Sequence, residues 1–587
     1  MQFRGIREET RRHRKRTHTA LSIALTVVAG ILLSAETVAQ QSTVGEEISR
    51  IDEERWKSEL YVEQIQPVIR SFFEGMGTKS GPASSLFTAD FRGAIPRGGT
   101  STSSQQDGTL RTTQVDFEKS KLLPTAAFLR QARKYARQLG DITRIEVHLT
   151  KVLQLVEGPE EVVLSCDLET LMAGRRETVA RADRTWWEAT LVGTPQGEWK
   201  VKELRPRHQE WAEGSQSFTD MTGFLPESYK KINHKVLTAG PPLVHSGVAL
   251  ADWDQDGDLD IYLFRPRLPA LFYENDGNGR FTDGSARFPG MADVRSTNGS
   301  GFFFDLENDG DLDFLHVRGN PTSEQIGVAI TPGLSSPLLF RNDGGAFVDI
   351  SESSGLSDVA GNNMVGAAIA DYDLDGLLDI YLYAYAGEEK QFFDSGGEPN
   401  TLLRNQKNGR FEDRTEASGM MRRNAGATLA AAWGDYNDDG RPDLYVANDY
   451  GPNMLYTNRG NGQFVEQAIG LGVEDRSNGM GVSWVDYDDD GDLDLYVSNM
   501  YSYAARRIND QLDAVQTGAG LDLLRRYTRG NTLFRNDGGT FEEVTPGVAV
   551  ARAQWAWGHV FFDYDLDGDQ DLYVVNGMWS HIKSKDT

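Results

Sequence analysis

Six short segments of this 587-residue chain concentrate carboxylates at one spacing. Counted from the first Asp of each, oxygen-bearing side chains fall at positions 1, 3, 5 and 9, and glycine at position 6. Loop 1 has Asp252, Asp254, Asp256 and Asp260 about Gly257, and loop 2 has Asp305, Glu307, Asp309 and Asp313 about Gly310. Loop 3 has Asp371, Asp373, Asp375 and Asp379 about Gly376, and loop 4 has Asp435, Asn437, Asp439 and Asp443 about Gly440. Loop 5 has Asp486, Asp488, Asp490 and Asp494 about Gly491, and loop 6 has Asp563, Asp565, Asp567 and Asp571 about Gly568. Position 7 varies freely (Asp258, Asp311, Leu377, Arg441, Asp492, Asp569), as expected where only its backbone carbonyl is used.

Carboxylates packed this closely repel one another unless a cation sits among them. An all-oxygen set of this size suits a hard ion, and Ca²⁺ accepts six to eight irregularly placed oxygens. Glycine at position 6 permits the turn that brings positions 1, 3 and 5 inward. An EF-hand is the obvious rival, but it needs a Glu at position 12 and flanking helices. Position 12 is Leu263, His316, Leu382, Val446, Val497 or Val574, and the flanks alternate as strands. One such loop could be a solvated turn; six with glycine fixed at position 6 are a calcium pattern. Loop 4 carries the least charge, because Asn437 replaces a carboxylate.

The elements that must hold these loops repeat with them. Loop starts at 252, 305, 371, 435, 486 and 563 give a period of 51–77 residues. The unit is read as beginning with a Phe strand (Phe218, Phe281, Phe347, Phe411, Phe464, Phe541), followed by a Gly-rich apolar strand into the Asp loop. A third strand leaves the loop, and a fourth ends in an Asn/Gly hairpin such as Asn275-Asp276-Gly277 or Asn536-Asp537-Gly538. Four short strands per repeat predict propeller blades. The repeats resemble FG-GAP/VCBS repeats, with calcium loops like those of integrin α heads. The runs Phe561–Asn576 and Asn531–Asn536 resemble bacterial relatives of cartilage acidic protein, the ASPIC/UnbV group, over residues 215–580. The resemblance implies a secreted calcium-binding β-propeller, usually of seven blades, with adhesive roles. No ASPIC-type tail follows the sixth motif, so the count stands at six or seven, with Phe218–Thr222 available as a closing outer strand.

Residues 43–210 differ. Tyr61–Glu74 and Thr125–Leu139 have helical spacing, with Pro67 a point where the first could kink. Residues 97–114 are polar and read as a loop. Ile145–Val156, Val162–Ala189 with a turn at Ala173-Gly174, and Trp199–Leu204 read as strands. This is an α+β domain whose element order resembles the NTF2-like cone. The expected architecture is therefore mainly β: a signal segment at 1–39, an α+β accessory domain at 43–210 and a six- or seven-bladed propeller at 215–587.

Residues 1–39 read as an export signal: Arg11, Arg12, Arg14, Lys15 and Arg16, then an apolar stretch from Ala20 to Ala35, then Thr37-Val38-Ala39 for cleavage. An uncleaved anchor is the rival, though the stretch is short for spanning. Seven of the 60 Lys/Arg and three of the 87 Asp/Glu lie there, so the rest of the chain stands at −31, against −27 overall. That balance excludes nucleic acid as a partner and suits bound cations. Cys166 is the only cysteine, so no internal disulfide can form, and it reads as a buried hydrophobe. No nucleophile elbow, zinc-binding His motif or Walker loop appears. Trp555, Trp557 and Trp579 bracket loop 6 and read as blade core, with a stacking platform as the alternative. Insertions at 320–337, 384–400 and 501–529 are the candidate partner surface; the last has short helical spacing. The chain thus reads as a secreted or periplasmic calcium-binding propeller that binds an extracellular protein or glycan. The runner-up is an extracytoplasmic enzyme with its site in the α+β domain or on the propeller face, which an Asp/His pair in a pocket of residues 43–210 would favour.

Overall fold

A computed structural model describes residues 57–576, apart from short interruptions and the longer stretches 216–246, 320–335, 386–398, 421–425 and 504–524. The proposed signal, Phe218–Thr222, Trp579 and most of the three insertions therefore lie outside the described residues. The chain divides into two compact units, Ser42–Thr219 with Tyr503–Leu521, and Asp220–Ser502 with Asp522–Thr587.

In the first unit, helix α1 is Lys57–Met76 and helix α2 is Thr125–Leu139. The strands are β1 (Phe87–Gly93), β2 (Thr100–Asp107), β3 (Leu110–Asp116), β4 (Leu123–Pro124), β5 (Asp141–Glu157), β6 (Val162–Arg176), β7 (Val179–Gly193) and β8 (Trp199–Ser215). They form one sheet, β2-β3-β8-β7-β6-β5, antiparallel throughout, with β1 added parallel to β8. Val62, Ile65, Ile69, Phe72, Phe73 and Met76 make the buried stripe of α1 and pack with Phe128, Tyr135 and Leu139 of α2 on one sheet face. Cys166 is buried in that core, as its apolar setting implies. Two expectations are corrected here. The turn placed at Ala173-Gly174 lies beyond Arg176 instead, with Glu177 at φ 56°. Gly174 is there for close approach: a Cβ on it would stand 2.4 Å from the Leu139 carbonyl oxygen at the end of α2. The polar stretch 97–114 is not a loop either. β2 and β3 form a hairpin on β8, with Arg111 paired to Glu213 at 3.0 Å and lying over Trp211, so cross-strand contacts replace apolar alternation.

Among the described residues, the second unit contains five four-stranded antiparallel sheets and one two-stranded sheet. Blade 4 shows the plan: inner strand Thr428–Gly434, Asp loop, then Asp443–Asn448, Met454–Asn458 and outer strand Phe464–Glu466. The Phe strand therefore closes a blade rather than opening one, which shifts the repeat by one strand. The pleat explains this, since the residues after each hairpin Asn pair back on the strand before it: Asn458 pairs with Phe464. Blades 1, 2, 3 and 5 span 248–283, 298–349, 364–413 and 479–543. Blade 6 is described as Ala556–Phe562 and Asp571–Asn576 only.

Inner strands of consecutive blades lie side by side. The side chain at loop position 2 packs on the residue two before the next loop. Tyr372 stacks on Trp433 (12° between planes), Tyr436 on Trp484 (12°) and Trp253 on Phe303 (26°). Trp555 and Trp557 border the buried Leu429, Met480 and Met500, which places them with the blade core.

Candidate metal centres

Each Asp loop connects the inner strand of a blade to its second strand, and its own side chains build it. The position-1 carboxylate folds over the turn. In loop 4, Asp435 accepts the Asp439 N–H (3.0 Å) on one oxygen and the Gly440 N–H (2.7 Å) on the other. The same pair of bonds recurs at Asp252, Asp305, Asp371, Asp486 and Asp563. The position-5 carboxylate then accepts the N–H of position 7, as Asp375 does from Leu377 at 3.0 Å. These bonds hold glycine at position 6 at φ 80–104°. They also hold position 4 left-handed in loops 1 to 5: Gln255, Asn308, Leu374, Asp438 and Asp489 have φ between 54° and 60°. Leucine and glutamine avoid that region when free, so the loop imposes it.

Position 9 is the buried end of the site. Asp260, Asp313, Asp379, Asp443 and Asp494 are at most 1% exposed. One oxygen faces the N–H of position 2, as in Leu306 to Asp313 at 2.8 Å. The other accepts the N–H of the hairpin Asn: Asn275, Asn342, Asn405, Asn458 or Asn536, at 2.6–2.8 Å. Burial nevertheless dominates and pushes Asp313, Asp379 and Asp443 up to about 7, and Asp260 and Asp494 to about 6. A carboxylate driven this far toward neutrality, beside other carboxylates, is one that a cation would re-ionise.

The loops converge to different degrees. Positions 1, 3 and 9 bring one oxygen each within 4.8 Å of one another in loop 1 (Asp252, Asp254, Asp260), loop 3 (Asp371, Asp373, Asp379) and loop 5 (Asp486, Asp488, Asp494). In loops 1 and 3, one oxygen of position 3 (Asp254 Oδ1, Asp373 Oδ1) is buried with no hydrogen-bond partner. Such an atom is costly unless something unseen satisfies it. Among the described residues, loops 2, 4 and 6 form no such acidic triplet; Asn437 is neutral and Asp565 lies outside the described residues. Arginines reach the outer carboxylates. Arg404 contacts Asp373 (2.5 Å) and Asp375 (2.7 Å), Arg287 lies 3.6 Å from Asp254, and Arg341 lies 3.9 Å from Glu307.

Positions 5 and 7 stand apart from the triplets. Asp256, Asp309, Asp375, Asp439, Asp490 and Asp567 are exposed and turned to the position-7 N–H. At position 7, Asp311 and Asp492 cap the hairpins by accepting from Gly344 (3.1 Å) and Gly538 (2.6 Å). Arg441 pairs with Asp439, and Asp569 meets Asp489 of loop 5.

The sequence reading missed the role of the hairpin asparagines. Each also donates its amide to the position-8 carbonyl of its own loop, and four reach the position-2 carbonyl of the preceding loop. Asn342 reaches Trp253 (3.0 Å), Asn405 Leu306 (2.9 Å), Asn458 Tyr372 (2.8 Å) and Asn536 Tyr436 (2.7 Å). The signal was present as an Asn fixed 15–42 residues after position 9, but it reads equally well as a turn residue.

In the α+β unit, His208 Nδ1 lies 2.5 Å from Asp116 Oδ1, on the sheet face away from the helices, with Glu210 3.5 Å from Nε2. Both side chains are partly exposed, at 30% and 47%. His208 thus lies between two partly exposed carboxylates of β3 and β8.

A family model described as an FG-GAP-like repeat matches residues 252–316, 391–446, 435–497 and 520–574. Cartilage acidic protein 1 of Mus musculus is 25% identical over 393 residues, 58% of this chain and 58% of that protein. The Homo sapiens protein is 26% identical over 419 residues, 62% of this chain and 60% of that one. The chain thus spans under two thirds of the curated relatives it matches. Solved structures that align include a conserved protein from Planctomyces limnophilus DSM 3776 (16% identity, TM-score 0.17, 26% of this chain and 98% of that one). An NTF2-like protein from Anabaena variabilis ATCC 29413 also aligns (12% identity, TM-score 0.14, 25% of this chain and 87% of that one).

Proposed function

We propose that this FG-GAP-repeat relative of cartilage acidic protein 1 is an extracytoplasmic, calcium-stabilised propeller that binds a protein or glycan. The observation that carries the calcium reading is the partnerless buried oxygen at Asp254 and Asp373, each within a triplet of carboxylates. The donors are all oxygen and include partly buried carboxylates, which fits a hard divalent cation. Calcium would supply positive charge at the carboxylate oxygens that Arg287 and Arg404 leave without a hydrogen bond. Asp260, Asp379 and Asp494 form the floor of the site, Asp254, Asp373 and Asp488 the wall, and Asp252, Asp371 and Asp486 lock the turn. The chain has no disulfide, so closing these loops with an ion fixes what cross-links fix in other exported proteins.

Export is supported by the basic and apolar segment at residues 1–39. No helix among the described residues is long and apolar enough to cross a membrane. The name of the relatives supports an extracellular role, and the insertions remain our proposed partner surface. An enzymatic role for the α+β unit has one observation in its favour, the Asp116–His208 pair, and the open position of that pair argues against it.

The test is thermal unfolding of the full chain before and after calcium removal. Binding to the folded state alone stabilises by about 2.7 kcal/mol per site at a hundredfold excess over Kd. We expect a fall in Tm of several degrees on stripping and recovery on adding calcium. An identical melting curve in both states would overturn the reading.

A further inference from the structure

Position 4 of the Asp loops is no ligand, yet in two loops its side chain grips the next loop. Gln255 of loop 1 donates its amide to the Gly310 carbonyl (2.6 Å) and to Asp311 Oδ1 (2.9 Å) of loop 2. Asn308 of loop 2 donates to the Gly376 carbonyl of loop 3. Both acceptor carbonyls belong to the position-6 glycine, whose peptide precedes the position-7 carbonyl expected to face the ion. Both donors stand between the position-3 and position-5 carboxylates of their own loop, on a left-handed residue held by that loop's hydrogen bonds (φ 59° and 58°). A change that orders one loop therefore aims a donor at the turn of the next.

Among the described residues, loops 3 and 4 show no such bridge. Leu374 and Asp438 occupy position 4 with almost the same φ (60° and 54°) but carry no N–H donor, and Asp489 of loop 5 (57°) meets Asp569 of loop 6 carboxyl against carboxyl. Among the described residues, the hydrogen bonds that join loops 3 to 5 come from the hairpin asparagines, Asn458 to the Tyr372 carbonyl and Asn536 to the Tyr436 carbonyl. The chain thus contains both the bridge and its control.

We propose that Gln255 and Asn308 are positioning residues that couple calcium loading of loops 1, 2 and 3 into one linked run, while loops 3, 4 and 5 lack this bridge. The inference rests on the calcium reading above. Coupling between sites is reciprocal: if occupancy of loop 3 favours loop 2, occupancy of loop 2 favours loop 3 by the same factor. One exposed hydrogen bond corresponds to about a two- to tenfold change in a neighbouring binding constant.

The experiment is hydrogen–deuterium exchange of the full chain across a calcium titration, read separately for 305–313 and 371–379. Asp371→Asn disables loop 3, and Glu307→Gln disables loop 2 for the reciprocal reading. Each variant must keep its protection in blades 4 and 5, so that loss of fold is recognised as such. We expect the calcium midpoint of loop 2 to rise about two- to tenfold when loop 3 is disabled. That dependence should vanish in Asn308→Leu, which installs the residue loop 3 itself uses, and persist in Asn308→Gln, which mimics Gln255. In Asn308→Leu alone, loop 2 should still respond to calcium. The proposal is overturned if loop 2 is indifferent to loop 3 within twofold, or if the dependence survives Asn308→Leu. If no loop gains protection with calcium at all, the calcium reading itself has failed, a different result from either.

Discussion

The buried position-9 carboxylates make a prediction about protons. Burial raises Asp313, Asp379 and Asp443 to about 7, roughly three pH units above the usual carboxylate value. At about 1.36 kcal/mol per unit, full ionisation of one such group costs the calcium-free fold about 4 kcal/mol, as an order of magnitude. The sign follows from the direction. A carboxyl whose folded value is raised favours the fold below its unfolded value near 4, and that advantage is lost as pH climbs through the folded value. Calcium-stripped protein should therefore lose Tm, by at least about 5 °C, between pH 5 and pH 7.5. Calcium-saturated protein should not, because the ion stabilises the ionised form. Calcium binding must also release protons. A group titrating at about 7 is about three-quarters protonated at pH 6.5, so loop 3 should release up to about that fraction of a proton per ion. Calorimetric titration in buffers of different ionisation enthalpy measures this directly. A stripped protein whose Tm is flat or rises over this window, with no proton release, would refute the reasoning.

Three further outcomes are expected. Asn458 is fully buried and its amide donates to carbonyls of two blades, so Asn458→Asp, which turns both contacts into oxygen against oxygen, should destabilise more than Asn458→Ala. The alanine variant should cost about 2–4 kcal/mol by denaturant unfolding in calcium. Arg529 holds Glu543 with two bonds of 2.8 Å and the fully buried Asp475 at 3.1 Å; Arg529→Ala leaves that charge uncompensated and should cost about 3–5 kcal/mol, measured the same way. Gly174→Ala should cost about 1–3 kcal/mol, because its Cβ meets the Leu139 carbonyl. Exchange in 141–193 should quicken while exchange in 428–466 stays unchanged.

The repeat and the loops were legible because each is specified locally. Position 1 bonds to positions 5 and 6, and position 5 to position 7, all within one turn, so spacing alone identifies the motif. Four strands per repeat were legible from alternation and turn residues, but their grouping was not. Whether Phe464 opens a blade or closes one depends on its pairing with Asn458, a contact the one-dimensional pattern leaves undecided. The hairpin Thr100–Asp116 was hidden because it is stabilised by backbone pairing and ion pairs to β8 rather than by apolar alternation. Gly174 misled for a related reason: glycine marks a turn and a close approach alike, and only the end of α2 distinguishes them.

The feature least visible in sequence is the one that ties the loops together. Carboxylates at positions 1, 3 and 9 are recognisable because their type is fixed. Position 4 carries Gln255, Asn308, Leu374, Asp438 and Asp489, and such variety ordinarily means an unconstrained surface residue. Yet its backbone is held left-handed in all five, with φ values inside 6°. The constraint is on conformation, imposed by the position-1 carboxylate, and the side chain is left free to vary. Freedom of side chain at a fixed direction is what allows some blades to carry a donor aimed at their neighbour and others none. Repeats whose loops share one geometry can thereby differ from one to the next in which loops are bridged, without altering a single carboxylate.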